Sequence, residues 1–369
     1  MSRVAFVADV HIGNPHVLGG PRVAPGVNRR GAEVLACLAA AAGVAEREGA
    51  DCCVVAGDLF DTHHPSPQLI DLTMRALDKY RGRWWLLRGN HDAASEEPGD
   101  DALAPFRHLP NVDVVDADAV VDGMLLLPYR KGRPSEWLGP AVRAALSQHR
   151  GDVAGVCLHL GVRDAEMVKR EPWMADADDA VDVDVLVGLC RQYGLRAAFA
   201  GNWHRHASWS AGGVDVVQIG ALCPTGWDNY GPDGYGTVLL WDHARGADSR
   251  ITRQEVAGPR FLYRIPSGPP RCGTPPYVQL TVPREQAATA RAARDAAREA
   301  GTITDGRVLL EDDAGRRAEV REAARRITGA TAAEEALGRY CAAYPMPHGV
   351  SAADVVRRSL EFLQAGRGS

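Results

Sequence analysis

The stretch Val4-Ala-Phe-Val-Ala-Asp-Val-His-Ile-Gly13 sets the reading of the whole chain. Its apolar run, Val4 to Ala8, is too short for a helix and is followed at once by an acid, a histidine and a glycine. It therefore reads as a buried strand whose C-terminal end delivers polar side chains. The pattern returns. Apolar runs at Cys52–Ala56, Trp84–Leu87, Val153–Leu158 and Ala197–Ala200 each lead into acids, asparagines or histidines, and Met124–Leu127, Val214–Ile219 and Thr237–Trp241 are further strand candidates. Alanine-rich or amphipathic segments at Arg29–Glu48 and Ser66–Tyr80 separate the first three runs, giving β-α-β-α-β. Later strands lie closer together and alternate more, as in a partly antiparallel second sheet. The expected architecture is α/β, a two-sheet sandwich flanked by helices over residues 1–265.

The 369 residues are 46% hydrophobic and 24% charged, enough for a sizeable core and for one large domain with an appendage. Basic residues number 42 against 47 acids, a net charge of -5. That excludes the overall basic field of a simple nucleic-acid or membrane binder, so an anionic substrate must be handled locally. Eight cysteines, without a C-x-x-C pair, read as small buried hydrophobes of a reducing compartment. The longest apolar stretch, Val34–Ala45, is too short to span a bilayer, and the chain opens on a strand with no signal-peptide layout. A cytoplasmic location without membrane contact is expected.

Turn formers crowd residues 266–276, Pro-Ser-Gly-Pro-Pro-Arg-Cys-Gly-Thr-Pro-Pro, which read as a linker. Residues 277–369 beyond it offer a strand at Tyr277–Val282 and helices near Arg284–Ala300, Arg316–Thr328, Ala330–Ala343 and Ser351–Gln364, a smaller α+β domain. Residues 1–266 hold 27 basic and 34 acidic side chains and residues 267–369 hold 15 and 13, so the two parts differ in the sign of their charge.

Five of the twelve histidines fall, with acids and an asparagine, at predicted strand ends. The segments are Asp9-Val-His11, Gly57-Asp58-Leu-Phe-Asp61, Gly89-Asn90-His91-Asp92, His159-Leu-Gly161 and Gly201-Asn-Trp-His204-Arg-His206. Asp9 and His11, two apart in extended chain, share one face and can grip one cation, and His204 and His206 repeat the device. Two such pairs suggest two ions. Gly57 and Gly89 allow tight turns in which a short side chain comes close to a cation, Asp58 can bridge two ions, and Asn90 adds a neutral oxygen.

This series resembles the calcineurin-like metallophosphoesterases, whose D-x-H, G-D, G-N-H-[DE], H and G-H-x-H motifs it matches in order over residues 5–206. Gly57-Asp-Leu-Phe-Asp61-Thr62, Pro65-Ser-Pro67, Asp92 after His91, and Leu127-Pro-Tyr129 are similar to SbcD-type DNA-repair nucleases. The resemblance implies a metallophosphoesterase sandwich with a C-terminal capping domain. It puts Asp9, His11 and His206 on one metal and Asn90, His159 and His204 on the other, with Asp58 between them. It further implies two-metal phosphodiester hydrolysis in which His91, held by Asp92, protonates the leaving oxygen. Mixed imidazole and oxygen ligands suit Mn²⁺, Fe²⁺ or Zn²⁺, and the resemblance selects Mn²⁺. The implied activity is that of a DNA exonuclease and endonuclease, a homodimer working with an SbcC-like coiled-coil ATPase. A small-substrate phosphodiesterase or phosphomonoesterase, and a non-catalytic metal-binding scaffold, are the alternatives.

One departure stands out: Trp203 occupies the position where the family usually has glycine, where its ring would reshape the turn or offer a stacking surface for an unpaired base. Arg88, Arg130, Lys131 and Arg205 lie near the motif loops and are candidate phosphate contacts, against the bland reading of solvated charge. Phe362 and Leu363, on the last predicted helix, are the anchors expected for either intradomain packing or a partner.

Overall fold

In this computed structural model the described residues are 3–14, 19–224, 226, 236–243, 250–256, 258–268 and 275–311. The helices expected near 316–328, 330–343 and 351–364, with Phe362 and Leu363, lie outside them. The chain divides into two units, residues 1–278 with 298–305, and residues 279–297 with 306–369.

The first unit is built on two six-stranded sheets. From edge to edge the first runs Arg250–Glu255, Thr237–Asp242, Arg3–Val7, Cys52–Val55, Arg83–Leu87 and Val112–Val115. The four strands from Arg3–Val7 to Val112–Val115 are parallel, and the other two join antiparallel. The second runs Ala207–Ala211, Val214–Gln218, Ala197–Ala200, Gly155–Leu158, Met124–Leu127 and Ala119–Val121. It is parallel inside and antiparallel at both edges.

Side chains alternate across each strand, and the core follows that period. Val4, Phe6, Cys52, Val54, Trp85 and Leu87 point between the sheets, where they meet Met124, Leu126, Cys157, Phe199 and Val217. Phe6 stacks on Phe199 with ring centroids 3.9 Å apart. Ala5, Val7, Cys53, Val55, Trp84 and Leu86 face the other way, onto the helices Arg29–Arg47 and Pro67–Leu77. The outer face of the second sheet packs under the helices Pro134–Gln148 and Val183–Tyr193. The result is the α/β sandwich flanked by helices that the apolar runs imply. Six described cysteines are buried and none is in a disulfide. No helix among the described residues is long and apolar enough to cross a membrane.

Local chemistry explains where the helices start. Asn28 caps Arg29–Arg47 by accepting from Gly31 N at 2.8 Å, and Ser66 caps Pro67–Leu77, which carries proline in its first turn. The sequence gives no clear helix signal over Pro134–Gln148, which contains Gly139 and Pro140; burial of Leu138, Ala141 and Val142 overrides that propensity cost. The edge strand Arg250–Glu255 carries mostly polar residues and has no apolar run to read.

Past the proline-rich segment the chain returns to the first unit. Phe261–Leu262 pairs in parallel with Tyr277 and Val278. The buried Tyr277 ring stacks on Phe261 at 5.2 Å, and its hydroxyl donates to Glu33 at 2.9 Å. The buried Arg30 guanidinium lies over both rings, at 4.8 and 5.1 Å from their centroids. In the second unit Arg307 donates to the Gln279 side chain at 2.7 Å.

Candidate metal centre

All the motif residues sit just past the C-terminal ends of parallel strands, where an α/β sheet presents a crevice. The loops are tied to one another by backbone bonds. Asp9 N donates to Gly57 O at 3.1 Å, His11 N to Asp58 O at 3.0 Å and Ala221 N to His204 O at 2.9 Å. Three acidic or imidazole residues here hold left-handed backbone, Asp9 at φ 49°, His11 at 52° and Asp58 at 53°. Such conformations cost of order 1–3 kcal/mol each and persist only where the surroundings impose them. Two glycines are required for room: a Cβ on Gly57, itself at φ +94°, would lie 1.9 Å from His159 Nδ1, and one on Gly89 would lie 2.1 Å from Asp58 Oδ1.

Three overlapping clusters have ligand atoms within 4.8 Å of one another: Asp9, His11 and His204; His11, Asp58 and His91; Asp9, Asp58 and His159. The nitrogens converge in a way that lone pairs alone do not favour. His11 Nε2 is 2.9 Å from His204 Nε2 and 3.7 Å from Asp58 Oδ2. His159 Nε2 is 2.9 Å from Asn90 Oδ1 and 3.4 Å from Asp58 Oδ1. The other ring nitrogen of His159 donates to Ala56 O at 2.7 Å, and His206 Nδ1 donates to Ile219 O at 3.0 Å. Each of those two imidazoles thus turns its Nε2 away from the backbone, the arrangement of a histidine ligand steadied by a carbonyl.

Burial sharpens the electrostatics. Asp9 takes one bond from Asn202 N at 2.9 Å on Oδ1, while its buried Oδ2 has no hydrogen-bond partner among the described residues. Burial pushes its carboxyl up to about 7. Burial would also raise Asp58, but the charges of His159 and His11 prevail and hold it well below the usual carboxylate range. Burial would lower His159, yet the Asp58 carboxylate raises it to about 9. A buried carboxylate oxygen without a partner, a second carboxylate in the centre and converging ring nitrogens fit divalent cations, which the protein's own protons replace only in part.

The structure brings Asp9, His11, Asp58, Asn90, His159 and His204 together. His204 stands with Asp9 and His11, and His206 belongs to none of the clusters found among the described residues; because the clusters share Asp9, His11 and Asp58, they do not divide the ligands between two ions. The exposed His91 lies beside Asp58, whose Oδ1 accepts from His91 N at 2.9 Å. Its ring is held by Asp61: His91 Nδ1 donates to the Asp61 carbonyl at 3.0 Å. Asp92, expected to hold that ring, is fully buried and instead accepts from Leu59 N, Phe60 N and Gly89 N at 3.3, 2.9 and 3.0 Å. It fixes the backbone of two loops.

Two residues of the site have roles that the sequence does not reveal, Asp61, which lies in a motif segment without a part assigned to it, and Gln218. Asp61 also sets its Oδ1 3.4 Å from His11 Nδ1. Gln218 is wholly buried; its amide nitrogen donates to Ala200 O, Gly201 O and Trp203 O, and its oxygen accepts from Val162 N at 2.8 Å. A glutamine inside the run Val214–Ile219 is the one signal that points to it. Trp203 is half-buried, its ring centroid 5.6 Å from that of Trp173. Among the candidate phosphate contacts, Arg88 is buried and donates to Glu97 O at 2.9 Å, and Arg130 pairs with Asp118. Arg205 is exposed, 3.5 Å from Glu171, and Lys131 is exposed.

The calcineurin-like phosphoesterase family model matches residues 2–221. The chain belongs to that family. The family is one of hydrolases, and the clustered ligand groups make a candidate dinuclear centre. No curated protein sequence matches the chain significantly. Among solved structures it is similar to a protein of Thermus thermophilus at 12% identity and TM-score 0.44, over 68% of this chain and 98% of that one. An archaeal phosphodiesterase matches at 11% and 0.33, over 68% and 99% of the two chains. A dimetal phosphatase from Danio rerio matches at 13% and 0.40, over 69% and 95%.

Proposed function

We propose that this calcineurin-like phosphoesterase is a metal-dependent nuclease, cleaving DNA phosphodiester bonds from an end and internally, in end processing or double-strand-break repair. The observation that carries the reading is the convergence of Asp9, His11, Asp58, His159 and His204 in overlapping ligand clusters, with the exposed His91 beside them. The SbcD-like motif details through Leu127-Pro-Tyr129, and the further hundred residues after the proline-rich segment, favour DNA over a small ester. Two divalent cations, Mn²⁺ by the family resemblance and Fe²⁺ or Zn²⁺ by ligand chemistry, would acidify water and neutralise charge on the phosphoryl oxygens.

The chain's own residues do the rest. Because a carbonyl only accepts, the bond to Asp61 O fixes the proton of His91 on Nδ1, and in the imidazolium a second proton sits on Nε2. That proton is the one passed to the leaving oxygen, and the neutral ring keeps its orientation afterwards. His159, oriented through Ala56 O, and Asp58, fixed by His91 N, hold the centre's geometry. The capping domain at 277–369, a second copy of the chain, an SbcC-like ATPase and a cytoplasmic setting complete the proposal.

The test incubates the purified chain with linear duplex, single-stranded DNA and an aryl phosphodiester, with Mn²⁺ or chelator, beside His91→Ala. Metal-dependent cleavage of DNA is expected. Aryl ester hydrolysis with no DNA cleavage, with or without the ATPase, assigns the centre to a small-substrate phosphodiesterase instead, and activity indifferent to chelation removes the metal mechanism.

A further inference from the structure

A cavity of about 320 Å³ lies among the loops that follow three strands of the first unit, lined by Arg88, Glu96, Asp116, Tyr129, Arg130 and Lys131. It adjoins the metal centre through Tyr129, whose ring stands edge-on to that of His159 at a centroid distance of 6.3 Å. Its volume is at the small end of ligand pockets, room for one nucleotide-sized unit.

The charges lining it do not cancel. Asp116 is committed to Arg107 at 2.6 Å, and Arg130 to Asp118, with its guanidinium 5.5 Å over the Trp137 ring. Arg88 donates to a neutral carbonyl, that of Glu97, and among the described residues its positive charge meets no carboxylate. Lys131 is exposed and makes no ion pair with a described residue. Against these two cations stands Glu96. A net positive pocket with an aromatic wall takes a phosphate and a ring. The buried arginine is already desolvated and oriented, so little ordering is left to be done on binding.

We propose that this cavity is the subsite for the nucleotide next to the bond being cleaved, its phosphate held by Arg88 and Lys131 and its base lying against Tyr129. The proposal rests on the nuclease reading, and it gives that reading a source of selectivity. A polynucleotide fills the pocket while it reacts; an aryl phosphodiester has nothing to place there. Glu96 tempers the site and offers an acceptor to an amino group of the base.

The test uses the full chain. Kinetic constants are measured with Mn²⁺ on an aryl phosphodiester and on a short single-stranded oligodeoxynucleotide, for the wild type, Lys131→Glu and Glu96→Gln. Binding of a deoxynucleoside 5′-monophosphate is measured separately on chelator-treated protein. Reversing the charge at residue 131 is expected to raise KM for the oligonucleotide about tenfold more than for the aryl ester, the scale of one charge-assisted contact. It weakens monophosphate binding by a similar factor, and Glu96→Gln tightens it a few-fold. Equal changes on both substrates, or monophosphate binding indifferent to both variants, would overturn the subsite. If the wild type hydrolyses the ester and not the oligonucleotide, the nuclease reading fails on its own, and the binding measurement still decides the cavity.

Discussion

The two sheets contribute unlike halves to the metal centre. Loops of the first sheet bring Asp9, His11, Asp58, Asn90 and His91, holding both carboxylates and three non-glycine residues at left-handed φ. Loops of the second bring imidazoles, His159, His204 and His206, two of them steadied by backbone carbonyls and the whole turn at 200–203 gathered by Gln218. Negative charge and most of the left-handed backbone are thus concentrated on one side, Asn202 at φ 75° being the second sheet's share, and preset ring orientation on the other. Strain and an unpartnered buried carboxylate oxygen are liabilities that a bound cation offsets, whereas hydrogen-bonded rings stand ready without one.

The largest expected effect falls on the first half and separates chemistry from ligation. His91 belongs to one of the candidate clusters by distance, yet its proposed role is proton transfer. His91→Ala should lower kcat by about 10²–10⁴, the range of a lost general acid, with the metal content unchanged. A fall in bound metal, read by elemental analysis, would make His91 a ligand and move it across the comparison.

This contrast also says what is legible in the sequence. Asp9 and His11, Asp58, Asn90 and His159 are readable because each follows an apolar run that could only be a strand, and strand ends in a parallel sheet converge. The pairings among them are not, since motif spacing states what shares a loop and not which ring faces which. Asp92 is misplaced by sequence for that reason. It follows His91 in the chain, but a fully buried carboxylate must find several donors, and the amides of Leu59, Phe60 and Gly89 supply them. Gln218 is hidden because a polar residue at the end of a strand that already carries Asp215 looks like noise until the carbonyls it must satisfy are in view. The edge strand Arg250–Glu255 and the helix across Pro140 are hidden because local composition argues against them and tertiary pairing decides.

A smaller effect is expected on the second half. Gln218→Leu removes the donor to three carbonyls and the acceptor for Val162 N, the link between the His159 and His204 loops. Metal affinity should fall about 10–100-fold, as for a lost outer-shell partner, with kcat at saturating metal changed less. Isothermal titration of the metal checks it. An unaltered affinity would show that the imidazole half is held by its own carbonyl bonds alone, and Trp203→Gly, which loses the ring's packing on Trp173 and Gly161 and none of the Gln218 bonds, should lower affinity less than Gln218→Leu does.

The smallest effect concerns the metal-free protein. Burial raises Asp9 to about 7, and the Asp58 carboxylate raises His159 to about 9. A group raised in the folded state contributes stability that is full below its unfolded value and is lost as pH climbs through the folded one. In chelator, stability should therefore decline between about pH 4 and pH 9, up to about pH 7 because the folded Asp9 keeps a proton that the unfolded chain has lost, and then on to about pH 9 for the same reason at His159. Asp58 is shifted the other way, so its contribution is present throughout that window and is lost only in strong acid. Metal takes the place of the protons, so the loaded protein should not share the decline, and the gap in Tm between loaded and chelated samples should widen with pH. Asp9→Asn removes the ionising oxygen whose burial is uncompensated. It should stabilise the chelated protein near pH 8 by about 1–3 kcal/mol while abolishing the gain from metal. A chelated wild type whose Tm is flat across that window, or an Asp9→Asn variant no more stable than it, would mean that the carboxylate half carries no uncompensated charge, and the asymmetry between the two sheets would be one of backbone strain alone.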